Sequence, residues 1–430
     1  MPRRGASRRF PFPLTTPPVL KPLVAAIAIA GATPHVAASD GLPVTRPETV
    51  GMSSERLGAI DRVVQRGVSA GGFPGAAVVV GRRGYAVWQR GYGWQDWGAA
   101  SRAVDPASTM YDLASITKVV ATTTAIMILY DQRKIRLDDP VSKYIVGFRG
   151  GGRDRVTIRH LLTHRSGLPA GRDLWDLADS PSEARRVVIA TRLEYEPGDY
   201  TVYSDLGPDL LGFIVEKVTH ERLDRFLARR VFGPLGMSHT AFRPSLAVRS
   251  RVAPTGPNIP RGTVHDRNAR ALGGIAGHAG LFSTAADLAV FAQMMLNGGT
   301  YNGVRLIRDS TVALFTRRSG GGRRALGWDT CGGGGSCGHY LSERAYGHTG
   351  FTGTSLWIDP ERGTFVILLT NEVNAPHAYD PIAVLSDVRA DLADIAALAV
   401  TDGAAEVPSM PDRLRADRAI GWYGDGDGAR

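Results

Sequence analysis

Three short groups of residues in this chain carry side chains suited to acyl transfer. The first is Ser115-Ile116-Thr117-Lys118, where the pattern predicts a helix running from Ser115 to Tyr130. Residues three apart on a helix share a face, so the Lys118 amine is expected beside the Ser115 hydroxyl. A serine is a weak nucleophile until a neighbour takes its proton. A lysine can take it when burial or nearby cations lower its pKa. A helix start also aims backbone N–H groups at a developing oxyanion. The second group is Tyr203-Ser204-Asp205. The Tyr203 phenol can relay a proton between nucleophile and leaving group, and Asp205 can accept hydrogen bonds from the lysine and from a substrate. The third group is His348-Thr349-Gly350, directly before the strand-rich end of the chain. A glycine there would let a bound acyl group approach the strand. Phe351 would offer its backbone N–H as a second oxyanion donor beside that of Ser115. Each group also has an ordinary alternative: a plain helix start, a buried tyrosine with an aspartate capping the helix near Pro208, and a turn at a strand start.

Several elements must position these residues. Ser53 or Ser54 can cap a helix with Leu57, Ile60, Val64 and Val68 on one face, ended by Gly72-Phe73-Pro74-Gly75. Ala76 to Val80 and Tyr85 to Arg90 read as two strands of a hairpin around Gly81-Arg82-Arg83-Gly84. From about 110 to about 297 the pattern turns helical, with Thr157 to His164, Pro208 to Val218, Leu223 to Val231 and Ala285 to Leu296 as further helices. Strands return at Ser355 to Ile358 and Phe365 to Leu369. A last helix puts Leu385, Val388, Leu392, Ile395 and Ala399 on one face, and 402–430 reads as a loose tail. Sequential hairpins favour an antiparallel sheet. The expectation is an α/β (α+β) fold: an antiparallel sheet from both chain ends, flanked by helices, with an all-helical lobe inserted at about 110–297.

The order of the three groups resembles the family of serine β-lactamases, D-alanyl-D-alanine carboxypeptidases and related esterases. It is most similar to the class C β-lactamase-like branch, in which tyrosine opens the second motif. Supporting similarity runs from about 45 to 400 and includes Leu161 to Leu168, Gly277 to Thr284 and Gly347 to Leu356. The resemblance implies the β-lactamase/transpeptidase-like (penicillin-binding-protein-like) fold and a serine hydrolase without a cofactor. Ser115, Lys118 and Tyr203 would be catalytic. Asp205, His348, Thr349, Gly350 and Phe351 would bind substrate. Two residues depart from the class C pattern: Asp205 stands where asparagine is usual, and His348 where lysine is usual. The second departure weakens the hold on a substrate carboxylate, so an esterase or peptidase is expected rather than a strong β-lactamase. The competing function is a catalytically weak protein that binds penicillins or cell-wall peptides. His164 is expected to order its loop by hydrogen bonds, His265-Asp266 to form a turn pair, and His278 to be structural.

The bulk composition narrows the class. The chain has 430 residues, 43% hydrophobic and 21% charged, with a formal net charge of +10. Much of that excess is local: Arg3, Arg4, Arg8, Arg9 and Lys21 precede the first acid, Asp40. No later basic run is interleaved with aromatics, which argues against a nucleic-acid partner. The basic start, the apolar run Leu23 to Ala32 and the small residues Val36, Ala37 and Ala38 form a three-part signal peptide, cleaved after Ala38. A periplasmic or secreted protein is therefore expected, with no membrane span in the mature chain. Ser7-Arg8-Arg9 leaves open general or twin-arginine export. Cys331 and Cys337, the only cysteines, flank four glycines and form a candidate disulfide. No His-Glu-x-x-His or similar ligand spacing is present, so no metal is expected.

Overall fold

The computed structural model describes residues 41–319, 322–374, 376–403 and 408–415, together with Pro11. Apart from Pro11 these belong to one compact unit, Val36–Arg430. Apart from Pro11, the expected signal peptide lies outside the described residues, as does the Gly-Asp-Gly-Asp-Gly end.

A six-stranded antiparallel sheet organises this unit. Its strands are β1 (Gly75–Arg82), β2 (Tyr85–Gly93), β3 (Asp329–Thr330), β4 (Tyr346–Gly350), β5 (Thr354–Asp359) and β6 (Thr364–Thr370). Their spatial order is β2-β1-β6-β5-β4-β3, so the two chain ends meet where β1 pairs with β6. The β1–β2 turn is tighter than the four residues read from the sequence. Only Arg83 and Gly84 form it, with φ of 51° and 89°, and two-residue hairpins require positive φ of this kind.

Both faces of the sheet are buried, and the period of two sorts side chains between them. Ala77 and Val79 of β1, with Phe365, Ile367 and Leu369 of β6, enter the core shared with the central helices. Ala76, Val78, Val80, Val366 and Leu368 enter a second core. Helices α1 (Ala59–Ser69) and α5 (Pro381–Leu398) cover that second face. Leu385, Val388, Leu392, Ile395 and Ala399 are all buried there. Ser53 caps the short helix Ser54–Leu57 that precedes α1, accepting the Arg56 N–H.

The central block contains α2 (Thr124–Asp131), α3 (Leu206–Thr219) and α4 (Ala285–Leu296). It is not all-helical. Tyr111–Asp112, Leu281–Ser283 and Ala241–Phe242 form a small three-stranded antiparallel sheet within it. These segments are two or three residues long, too short for a period-two pattern to show. Helix α4 packs on β1 and β6, so it belongs to the sheet layer as much as to the inserted lobe. The tail is also partly tied down. Leu414 is fully buried, and Arg413 pairs with Asp391 and Asp394 of α5. Cys331 and Cys337 are joined by a disulfide beneath this face.

Candidate active site

Ser115 lies in the turn that leads from the small sheet into the central helices. Ala114 before it takes φ 46°, uncommon for a residue with a side chain. The buried Asp112 carboxylate holds that turn, accepting the N–H groups of Ala114 (3.0 Å) and His265 (2.7 Å). Burial pushes the Asp112 carboxyl up to about 6. The first turns after Ser115 are wide: Lys118–Thr123 is a π-helix before α2 begins. Such widened turns are frequent at functional sites.

The expected Ser–Lys contact is present. Lys118 Nζ donates to Ser115 Oγ at 2.9 Å and to the His278 carbonyl at 3.1 Å, and pairs with Asp205 Oδ1 at 2.7 Å. Asp205 stands at the start of α3 without capping it, so its side chain serves the lysine and not the helix end. Lys118 is almost fully buried. Burial alone would lower its pKa, but Tyr203 and Asp205 together outweigh burial and hold the amine above the ordinary lysine value. That differs from the lowered lysine expected of a resting base. The Lys118 ammonium in turn overcomes the burial of Asp205 and holds its carboxyl below the usual range.

Tyr203 lies against this cluster, with Lys118 Nζ 5.0 Å from its ring centroid. His164 sets its place. At φ 54°, His164 accepts the Ser204 N–H on Nδ1 (3.1 Å) and the Val202 N–H on its carbonyl (2.9 Å), with its ring 4.7 Å from that of Tyr203. This is the loop-ordering role read from the sequence.

The third group forms β4 and its exit. Gly350 is required by close packing: a Cβ there would lie 2.1 Å from Thr354 Oγ1 and 2.4 Å from the Leu113 carbonyl. The missing side chain thus admits the backbone that precedes Ser115, whereas the sequence reading assigned that space to an acyl group. Thr352 and Thr354 hydroxyls donate to the Asp112 and Leu113 carbonyls, and Arg389 of α5 donates to the Gly350 and Thr354 carbonyls. The oxyanion candidates, the N–H groups of Ser115 and Phe351, have no hydrogen-bond acceptor among the described residues. The Phe351 side chain is exposed and its ring stacks 5.8 Å from His265.

His348 is buried, and Nδ1 lies 2.6 Å from the Thr349 carbonyl. A carbonyl only accepts, so Nδ1 carries the proton. Burial pushes the His348 pKa below the ordinary value; Asp329 opposes this and Lys118 reinforces it. The ring is therefore neutral at pH 7. A cation that sequence reasoning missed is close by: the Arg324 guanidinium lies 5.1 Å from the Tyr203 ring centroid and pairs with Asp329 of β3. It sits in an Arg- and Gly-rich stretch with no local pattern to single it out. His278 and Asp266 were read only as a structural histidine and a turn residue, and Asp209 was not singled out. His278 is buried with Asp209 on one ring nitrogen (2.8 Å) and Asp266 on the other (3.1 Å). Asp205, Asp266 and His278 could together offer atoms to a metal within 4.8 Å of one another, but the Lys118 ammonium already meets Asp205.

The Beta-lactamase family pattern matches residues 60–389. The chain belongs to the Beta-lactamase family. This is a serine hydrolase family that takes in esterases, β-lactamases and D-Ala-D-Ala peptidase-like proteins. A Salmonella schwarzengrund (strain CVM19633) protein, provisionally named a D-alanyl-D-alanine carboxypeptidase, is 36% identical over 378 residues, covering 78% of this chain and 87% of its own. Among solved structures, a penicillin-binding protein homolog from Caulobacter crescentus superposes with a TM-score of 0.64 at 21% identity, covering 78% of this chain and 96% of its own. A family VIII carboxylesterase gives 0.64 at 20% identity, covering 79% and 98%. These two show the shared β-lactamase/transpeptidase-like fold. No helix among the described residues is long and apolar enough to cross a membrane.

Proposed function

We propose that this chain is an exported serine hydrolase that forms an acyl-enzyme on Ser115, acting on D-amino-acid peptides of the D-alanyl-D-alanine type and on carboxylic esters. The observation that carries the reading is the contact of Lys118 Nζ with Ser115 Oγ at 2.9 Å, locked by Asp205 at 2.7 Å. The 36%-identical relative supports the peptide class. Ser115 Oγ attacks the acyl carbonyl and its proton passes to the Lys118–Tyr203 pair. A lysine already charged cannot accept it, so the proton goes to Tyr203 in its phenolate form, whose negative charge the Lys118 ammonium stabilises until the proton neutralises it. The N–H groups of Ser115 and Phe351 hold the oxyanion. The pair returns the proton to the leaving amine or alcohol, and water then hydrolyses the ester on Ser115. A neutral His348 gives little hold on the carboxylate of a penicillin or of a D-alanyl peptide, so esters that lack this anion depend on it least.

The test is intact-mass analysis after incubation with an active-site phosphonate, alongside turnover of a D-Ala-D-Ala peptide and a p-nitrophenyl ester. One adduct and measurable turnover are expected, both lost in Ser115→Ala with folding intact. An adduct on the Ser115→Ala protein would defeat the assignment. An adduct without turnover of either substrate would favour a binding protein instead. Export is checked by N-terminal sequencing of periplasmic material, which should begin at residue 39.

A further inference from the structure

His278 lies outside the three motifs, yet it contacts the catalytic lysine through its own carbonyl, across 160 positions of sequence. Its side chain is buried, and both ring nitrogens face carboxylate oxygens: Asp209 at 2.8 Å and Asp266 at 3.1 Å. A carboxylate oxygen only accepts, so both nitrogens are donors and the ring is an imidazolium. The two acids are fixed by other bonds. Asp209 lies one turn after Asp205 on α3 and also accepts the Gly277 N–H at 2.9 Å. Asp266 caps the helix Arg267–Ala271 by accepting the Ala269 N–H at 2.7 Å. The segment carrying His278 is pressed onto α3, since a Cβ on Gly277 would lie 1.9 Å from the Pro208 carbonyl. Carboxylate oxygens of Asp205 and Asp266 and a ring nitrogen of His278 all fall within 4.8 Å of one another. Two cations, Lys118 and His278, therefore share three carboxylates: Asp205, Asp209 and Asp266.

We propose that His278 is a positioning residue: a fixed buried imidazolium that holds the Lys118 ammonium through its carbonyl and shares the negative charge of Asp205, leaving the Ser115–Lys118–Tyr203 group free to exchange its proton. This rests on the Ser115 acyl-enzyme reading above. Burial disfavours the charged ring, but Asp209 and Asp205 overcome it and hold the His278 pKa well above the ordinary value. With the imidazolium gone, three carboxylates would act on Lys118 alone, bind its proton more tightly and make the group a poorer base at neutral pH. Other charged or titratable groups facing this cluster are Tyr203 and Asp205 from the loop before α3, Asp266 and its neighbour His265, His348 of β4, His164, and Arg324.

The test is the pH profile of kcat/KM from pH 5 to 10 on a neutral p-nitrophenyl ester, for the full-length protein, His278→Gln and Asp266→Asn. In His278→Gln the acidic limb should move up by roughly one unit, giving about a tenfold loss near pH 7 that shrinks toward pH 9. Asp266→Asn removes an anion and keeps a capping oxygen, so its limb should move down. An equal loss at every pH in His278→Gln, or limbs that move in the same direction in both variants, would overturn the proposal. Asp266→Asn alters a partly exposed side chain. Should His278→Gln fail to fold, an unshifted limb in Asp266→Asn overturns the proposal by itself. Ester turnover that survives in Ser115→Ala would instead sink the acyl-enzyme reading, whatever the limbs do.

Discussion

At the residue scale, the proposed acyl transfer requires Lys118 and Tyr203 to act as one group. Each alone titrates near ~10 in water, so neither is suited to proton transfer at pH 7 without the other. Lys118→Ala and Tyr203→Phe should each lower kcat by roughly 100-fold or more. The double variant should lose far less than the product of the two, because groups that act as a unit are not additive. Strict multiplicativity would separate their roles. For anion recognition the structure offers a cation that the sequence did not suggest, Arg324 beside Tyr203. His348 alone would make anionic substrates improve as pH falls through the histidine range, near ~6.5. Its lowered pKa displaces that gain to more acidic conditions. A guanidinium does not lose its proton in a protein. Arg324→Gln should therefore cost about 10-fold or more in kcat/KM for a carboxylate-bearing peptide, the scale of one charge-assisted hydrogen bond. A neutral ester should change by less than about threefold, well inside that scale. Steady-state kinetics at pH 6 and 8 decide it: equal losses on both substrates would remove Arg324 from recognition.

At the element scale, the turn between β4 and β5 and the turn before Ser115 are tied together. The ties are the Thr352 and Thr354 hydroxyls, the missing side chain of Gly350 and the Asp112 carboxylate. Asp112 also gives this region a pH signature. Its folded pKa of about 6 lies above the unfolded value near ~3.9, so the native state binds a proton first as pH falls. Asp112 therefore weakens the fold above about pH 6 and returns stability between there and about pH 4. His164 and His348 run the other way. Their folded pKa values are lowered, so the stability they contribute above about pH 6.5 is lost as acidification charges them. Asp112→Asn keeps both histidines, so comparing it with the parent isolates the carboxyl. The parent should gain more in Tm than the variant, or lose less, between pH 7 and 5. Parallel Tm profiles would show that Asp112 does not titrate there.

At the scale of the whole molecule, the sheet separates the core around the candidate site from a second, supporting core. The Cys331–Cys337 bond lies in the core beneath α1 and α5, on the face away from the central helices. A loop this short gains only about 2 kcal/mol from closure by the chain-entropy estimate. Replacing both cysteines with serine should lower stability by about that much at most, measured by urea unfolding, and leave kcat/KM unchanged. A large loss of activity at full occupancy of the fold would mean that the loop reaches the site. Periplasmic protein with both thiols free on non-reducing peptide mapping would show that the bond is not made in the cell.

The sequence by itself determined what depends on near neighbours. The three-residue spacing of Ser115 and Lys118 predicted that amine and hydroxyl meet, and the short apolar runs Ala76 to Val80 and Phe365 to Leu369, each beside a turn, marked the paired central strands. The apolar face of α5 was legible for the same reason. Tertiary structure decided whatever depends on burial or on partners far along the chain. Asp205 could have capped α3, and only the fold brings Lys118 to it. His348 could have been a cation until burial made it neutral. Gly350 faces Leu113 and Thr354, a contact no local window contains. His278 looked like one histidine among ten, because the acids that charge it lie 69 and 12 positions away. Local steric and spacing rules are written in short windows of sequence. The dielectric around a side chain, and the charges that face it, exist only after the chain has closed on itself.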